Sequence, residues 1–247
     1  MKTILFLLAS VFLLSGRVEA EPAPRQPPRQ NKPEIPEVAR REAIDFAYYT
    51  VNQGVLKLTA QLYPLRENET REATLAVKAG DGWKTVATTR VTEEPYNNYR
   101  QDKTWTAHFR VEQWDDRRTV PYRVTALGGV ATYEGSIRAN PVDKREIVVA
   151  AFTGNSNQDR RLKPDLIANL KAQDPDLLFF SGDQVYDHTD HLGAWLLFGR
   201  QFGEIIKDRP MISIPDDHDV GQANLWGAGG KVSTNAAGDD GGYFMPV

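Results

Sequence analysis

The hydrophobic pattern of this chain changes period near Pro141, and that change constrains the fold more than any other feature. Before it, apolar residues recur at every second position. Leu56, Leu58, Ala60 and Leu62 alternate with Lys57, Thr59 and Gln61, the mark of a strand with one buried face. Residues 73–79 and 83–91 flank Gly80-Asp81-Gly82, which predicts a hairpin turn. Trp105, Ala107, Phe109 and Val111 alternate again, then Tyr122, Val124 and Ala126, then Ala131, Tyr133 and Ile137 beyond Gly128-Gly129. Short strands at this spacing predict an all-β N-terminal sandwich over residues 37–143. After Pro141, residues 147–152 form an unbroken apolar run, as expected of a strand buried on both faces. Leu162, Leu166, Ile167 and Leu170 have helical spacing; 177–180 is a second apolar run; Leu192, Trp195, Leu196 and Phe202 mark another helix; 211–214 is a third run. This βαβαβ order predicts a parallel α/β sheet with right-handed crossovers over residues 144–247.

The first 36 residues have a different composition. Lys2 precedes an apolar stretch from Ile4 to Leu14, interrupted by Ser10, and Val18-Glu19-Ala20 supplies small residues for cleavage. An export signal over residues 1–20 is the expectation. The stretch is short for a membrane span, with an uncleaved anchor as the alternative, and no later segment is expected to cross a membrane. Residues 21–36 hold six of the 15 prolines and predict an extended, solvated linker. The chain has no cysteine, which excludes disulfides, thiolate metal sites and a cysteine nucleophile. Export without disulfides points to the periplasm or the extracellular medium. Thirty Lys and Arg against 33 Asp and Glu give a net charge of −3, so no basic excess favours a nucleic-acid partner.

The chemistry-bearing residues collect after the second and third apolar runs. One is followed by Ser181-Gly182-Asp183-Gln184-Val185-Tyr186-Asp187, the other by Pro215-Asp216-Asp217-His218-Asp219. Parallel sheets gather their chemistry at the C-terminal ends of the strands. Carboxylates there are costly unless paired or bound to metal, and Asp, His and Tyr supply oxygen and nitrogen donors for iron, manganese, zinc or calcium. His188 and His191 are expected to start a solvated helix, and His108 has no companions in its strand. The aromatics of the β half are expected to pack rather than stack on sugars. Asn68-Glu69-Thr70 matches a glycosylation sequon. Gly154-Asn155-Ser156-Asn157-Gln158 lacks the second glycine of a nucleophile elbow, and no phosphate-binding Gly-Lys-Ser/Thr loop is present.

Together, Gly182-Asp183-Gln184-Val185-Tyr186 and Asp216-Asp217-His218-Asp219 resemble the calcineurin-like metallophosphoesterases, in the form found in PhoD-like alkaline phosphatases and phosphodiesterases. Asn224-Leu225-Trp226-Gly227-Ala228-Gly229-Gly230 resembles the loop that follows in that branch. The resemblance covers residues 145–247, so that 144–247 would be the N-terminal part of a metallophosphoesterase domain. It implies an exported, metal-dependent phosphoric ester hydrolase with a dinuclear site, iron plus calcium, manganese or zinc. Carried over to this chain, Asp183 would bridge the metals, Tyr186 would ligate ferric iron, and Asp217 would be a further ligand. His218 would contact the phosphoryl group or protonate the leaving group, and Asp219 would orient His218. Two departures stand out. The first strand runs into Phe152-Thr153-Gly154-Asn155-Ser156-Asn157 instead of an anionic metal motif, leaving Asn155 or Asn157 as an amide donor and Asp159 as a distant substitute. No histidine follows His218, so a C-terminally truncated chain with an open sheet is expected. The alternative is a non-catalytic, envelope-binding β-sandwich with a remnant phosphoesterase half.

Overall fold

The computed structural model describes residues 33–95, 103–154, 159–186 and 190–220, apart from the side chains of 217 and 220. These residues form three sheets and few helices.

Two antiparallel sheets make the β half. The first contains β1 (Ile44–Asn52), β2 (Val55–Leu62) and β5 (Thr106–Val111), in the order β1-β2-β5. The second contains β3 (Glu72–Ala79), β4 (Gly82–Arg90), β6 (Val120–Ala126) and β7 (Ala131–Ile137), in the order β4-β3-β6-β7. The expected hairpin is present: Ala79 pairs with Gly82 across Gly80-Asp81. The inward residues are the predicted alternating set. Leu56, Leu58, Ala60 and Leu62 share a buried cluster with Leu75, Tyr122, Val124 and Ile137 of the facing sheet. Tyr49 meets Tyr122 edge to face across the sheets, with ring centroids 6.5 Å apart. Trp105 is buried, whereas Trp83 lies beneath the Arg123 guanidinium at 4.3 Å.

The sequence pattern missed β1, and its packing explains why. Ala47 and Tyr49 join the sandwich core, but Phe46 belongs to a second core built from the α/β half. A strand shared between two cores is apolar on both faces and loses the period-2 alternation.

The second half contains β8 (Val149–Phe152), α1 (Pro164–Gln173), β9 (Leu177–Phe180), α2 (His191–Ile206), β10 (Met211–Ser213) and the single turn α3 (Asp217–Val220). Its strands are parallel in the order β10-β9-β8. Each strand is laid beside the previous one in one direction, so right-handed crossovers place both helices on the same face. Leu178, Phe180 and Met211 on that face pack with Ile167 and Leu170 of α1 and Phe198, Phe202 and Ile205 of α2. Phe152 stacks on Phe180 at 4.6 Å. The expectation that residues 147–152 are buried on both faces is overturned. Val149 is 47% exposed and Ile212 41%, so among the described residues the second face is uncovered.

The halves interlock. Leu192 and Leu196 of α2 enter the sandwich core, while Phe46 of β1 packs edge to face on Trp195 and Phe198. Gly199 permits this approach, since a side chain there would collide with Asp45 and the Phe46 ring. Arg138, just past β7, donates to Asp174 at 3.1 Å, and Arg209 donates to the other oxygen of that carboxylate at 2.5 Å. At the N-terminal side Pro33 is buried, its carbonyl set against Gly193 of α2, whereas residues 34–36 are exposed; the rest of the expected linker, 21–32, lies outside the described residues. No helix among the described residues is long and apolar enough to cross a membrane.

Candidate functional site

The parallel ladder determines where the strand-end residues meet. Ser181 N–H donates to the Phe152 carbonyl at 2.9 Å, and Ile214 N–H donates to the Phe180 carbonyl at 3.0 Å. The three strand exits therefore lie side by side. Gly182, with φ +94°, has no room for a side chain: a Cβ there would run into the backbone and Cβ of Asp216. A glycine is required both by the backbone angle and by the close approach of the third exit to the second.

Asp183 follows in the left-handed region, at φ 62°, where a residue with a side chain carries a strain of roughly 1–2 kcal/mol. Its Oδ2 accepts the Tyr186 hydroxyl at 2.8 Å. Its Oδ1 is buried without a hydrogen-bond partner. The Tyr186 ring stacks on His218, with centroids 4.0 Å apart and planes at 23°. The structure thus brings Asp183, Tyr186 and His218 to one place, beside Gly154 at the end of β8. Asn155 and Asn157 lie outside the described residues, as does the side chain of Asp217. Asp159 points elsewhere. It accepts Arg161 at 2.9 Å and Lys163 at 3.3 Å, and the Arg161 hydrogen bonds hold its carboxyl far below the ordinary range.

Asp219 braces the strand-end loops. Its Oδ2 accepts the N–H of Asp183 at 2.6 Å and of Asp216 at 3.0 Å; its Oδ1 accepts the N–H of Val185 at 2.9 Å. With the Gln184 amide turned to suit its surroundings, its nitrogen also donates to Asp219 Oδ2 at 3.1 Å. Both oxygens are thus engaged by the strand-end loops, a bracing role that the sequence did not signal. Burial raises the Asp219 pKa, with the nearby Asp183 carboxylate adding to the rise, against the lowering by the three amides.

His191 is the residue that pattern reading misjudged. It was expected at a solvated helix start, but it is 8% exposed and its Nε2 lies 2.7 Å from the Asp219 carbonyl. A carbonyl only accepts, so Nε2 carries the proton. The available signal was position: His191 begins a helix whose next residues are apolar. His188 lies outside the described residues. His108 sits between the Thr59 and Thr106 hydroxyls at 3.0 Å each, well away from the strand ends.

Among the solved structures, that of PhoD overlays this chain with a TM-score of 0.55. The chain is similar in fold to PhoD. Identity is 13%, and the match covers 77% of this chain. It spans only 41% of the PhoD chain, so the likeness concerns the fold. No protein-family model matches the chain, and no curated protein matches it in sequence.

The donor chemistry fits a hard cation in part. A buried carboxylate oxygen without a partner, with a phenol 2.8 Å from its twin, offers two oxygen ligands of the kind iron, manganese or calcium accepts. Among the described residues no three His, Asp or Glu side chains gather closely enough to hold a metal ion.

Proposed function

We propose that this chain carries the strand-end part of a metal-dependent phosphoric ester hydrolase, acting on mono- or diesters in the periplasm or outside the cell. The observation that supports this reading most is the buried, unpartnered Asp183 Oδ1 at the mouth of three adjacent parallel strand ends. An uncompensated buried carboxylate oxygen is expensive, and a cation offsets that cost. Asp183, Tyr186 and Asp217 would hold the metals, and Asn155 would offer an amide oxygen to metal or phosphate. Bound metal would polarise the phosphoryl group and activate water. His218, which stacks on Tyr186, would donate a proton or a hydrogen bond to the phosphoryl or leaving-group oxygen. Such a group typically contributes about 10²–10⁴-fold in rate.

The test is metal content and turnover of the purified chain, supplied with iron, manganese, calcium or zinc and with p-nitrophenyl phosphate and its bis ester. Metal binding with hydrolysis of either ester is expected. His218→Ala should then cut turnover about 10²–10⁴-fold with metal content kept, whereas Asp183→Asn should lose metal. Metal bound without hydrolysis would overturn the reaction. The second reading is a non-catalytic, envelope-binding β-sandwich protein with a remnant phosphoesterase half. A chain that takes up no metal would support it.

A further inference from the structure

We infer that Asp219 and His191 are positioning residues: together they clasp the second and third strand exits and hold Asp183 in the conformation that presents its carboxylate. The inference deepens the proposed function and rests on it for its metal-binding consequence. Its geometric basis is independent of that reading.

Asp183 sits at φ 62°, a region that L-residues leave unless the surroundings hold them there. The holding contact is the 2.6 Å hydrogen bond from Asp183 N–H to Asp219 Oδ2. The same carboxylate binds the amides of Val185 and Asp216, so one side chain spans both exits. Asp219 is fixed in turn by its own backbone. Its N–H donates to the Asp216 carbonyl at 3.1 Å, and its carbonyl accepts His191 Nε2–H at 2.7 Å. His191 opens α2, and the following turn of α2 places Leu192 and Leu196 in the sandwich core. The chain of contacts therefore runs from the β half, through α2 and Asp219, to the backbone of Asp183. Asp219 and His191 are both 8% exposed, so water is poorly placed to replace either contact.

The test compares Asp219→Ala, His191→Leu and His191→Gln with the unaltered full chain. In metal-free protein, amide hydrogen exchange at Asp183 and Val185 reads the clasp directly. Faster exchange is expected in Asp219→Ala and, to a smaller degree, in His191→Leu. His191→Gln restores an N–H donor and should return exchange towards the unaltered rate. Mn²⁺ titration well below the melting temperature reads the consequence. A roughly 10–100-fold weaker affinity is expected for Asp219→Ala and His191→Leu, with far-UV circular dichroism unchanged and partial rescue in His191→Gln. A merely structural role would lower the melting temperature yet leave the Mn²⁺ affinity of the folded fraction intact, and that result would overturn the inference. Unchanged exchange at both amides would overturn it as well. If the unaltered chain binds none of manganese, iron, calcium and zinc, the proposed function fails, and the exchange arm still decides the clasp. Should Asp219→Ala fail to fold, the two His191 variants carry the test.

Discussion

The two halves of this protein solve the same problem with different completeness. In the β half, two antiparallel sheets cover each other, and both inner faces are buried in one cluster. In the α/β half, a three-stranded parallel sheet has helices on one face, while Val149, Ile212 and Ile214 on the other are 41–47% exposed. The difference follows from topology. The hairpins β1-β2, β3-β4 and β6-β7, joined by crossings from one sheet to the other, leave each sheet a whole face to set against its partner. A run of right-handed crossovers in one direction loads one face only. The smaller half gains support by borrowing. Phe46 of β1 enters its core, and Leu192 and Leu196 of α2 enter the sandwich.

That borrowing predicts one cooperative unit, and Phe46→Ala should strain it most. Truncating a fully buried aromatic costs about 3–5 kcal/mol. Phe46 is 0% exposed and contacts three aromatic rings. Urea melts followed by tryptophan fluorescence and far-UV circular dichroism should shift together. Two separated transitions would show that the halves fold independently.

Gly199→Ala tests the same seam by overfilling it. A methyl group would collide with Asp45 and the Phe46 ring, and overpacking costs about 1–3 kcal/mol. A change of Gly80, in an exposed turn with open space around it, should cost less by thermal melting despite its own positive φ. A larger loss at Gly80 would mean that the seam yields more easily than its packing indicates.

The seam should also make stability depend on pH. Burial pushes the Asp45 carboxyl up from 3.8 to about 7, opposed by the Tyr63 hydrogen bond and by Arg200. The Tyr63 hydroxyl donates to it at 2.7 Å. Between those two values the folded chain holds a proton that the unfolded chain has released. Stability from this group is complete below the unfolded value and declines as pH rises towards 7, by at most about 1.4 kcal/mol per pH unit. Denaturant melts from about pH 5 to 8 should show the decline, and Asp45→Asn should flatten it. A slope that survives in the variant would assign the effect to other groups.

The smallest effect belongs to the uncovered face. Ile212→Thr should change stability by no more than about 0.5 kcal/mol, whereas Leu178→Ala on the covered face should cost about 2–5 kcal/mol. Equal losses in thermal melts would show that something covers Ile212 in solution.

Much of this architecture was legible beforehand, for identifiable reasons. The alternation of Leu56, Leu58, Ala60 and Leu62 reports a half-buried strand, which residue type encodes directly; the unbroken run 177–180 marked a strand, but Leu177 and Phe179 are only partly buried. Strand β1 was not legible because its environment consists of two cores that meet only in the folded chain. At the site, Gly182 and Asp183 stood out as a turn glycine beside a carboxylate. His191 did not, because its partner, the carbonyl of Asp219, is 28 residues away and carries no sequence signature.

The sequence by itself determined the order of elements, the change from antiparallel to parallel grammar near Pro141 and the placing of acidic motifs after apolar strands. Those are properties of short segments, set by side-chain period and turn chemistry. Only the tertiary structure decided which face of the parallel sheet is covered, that Asp219 binds the backbone amides of Asp183, Val185 and Asp216, and that His191 is buried against it. Each of these depends on distant segments arriving at one place. The direction of a crossover, the absence of a side chain at Gly182 and the shared burial of β1 and α2 bring them there.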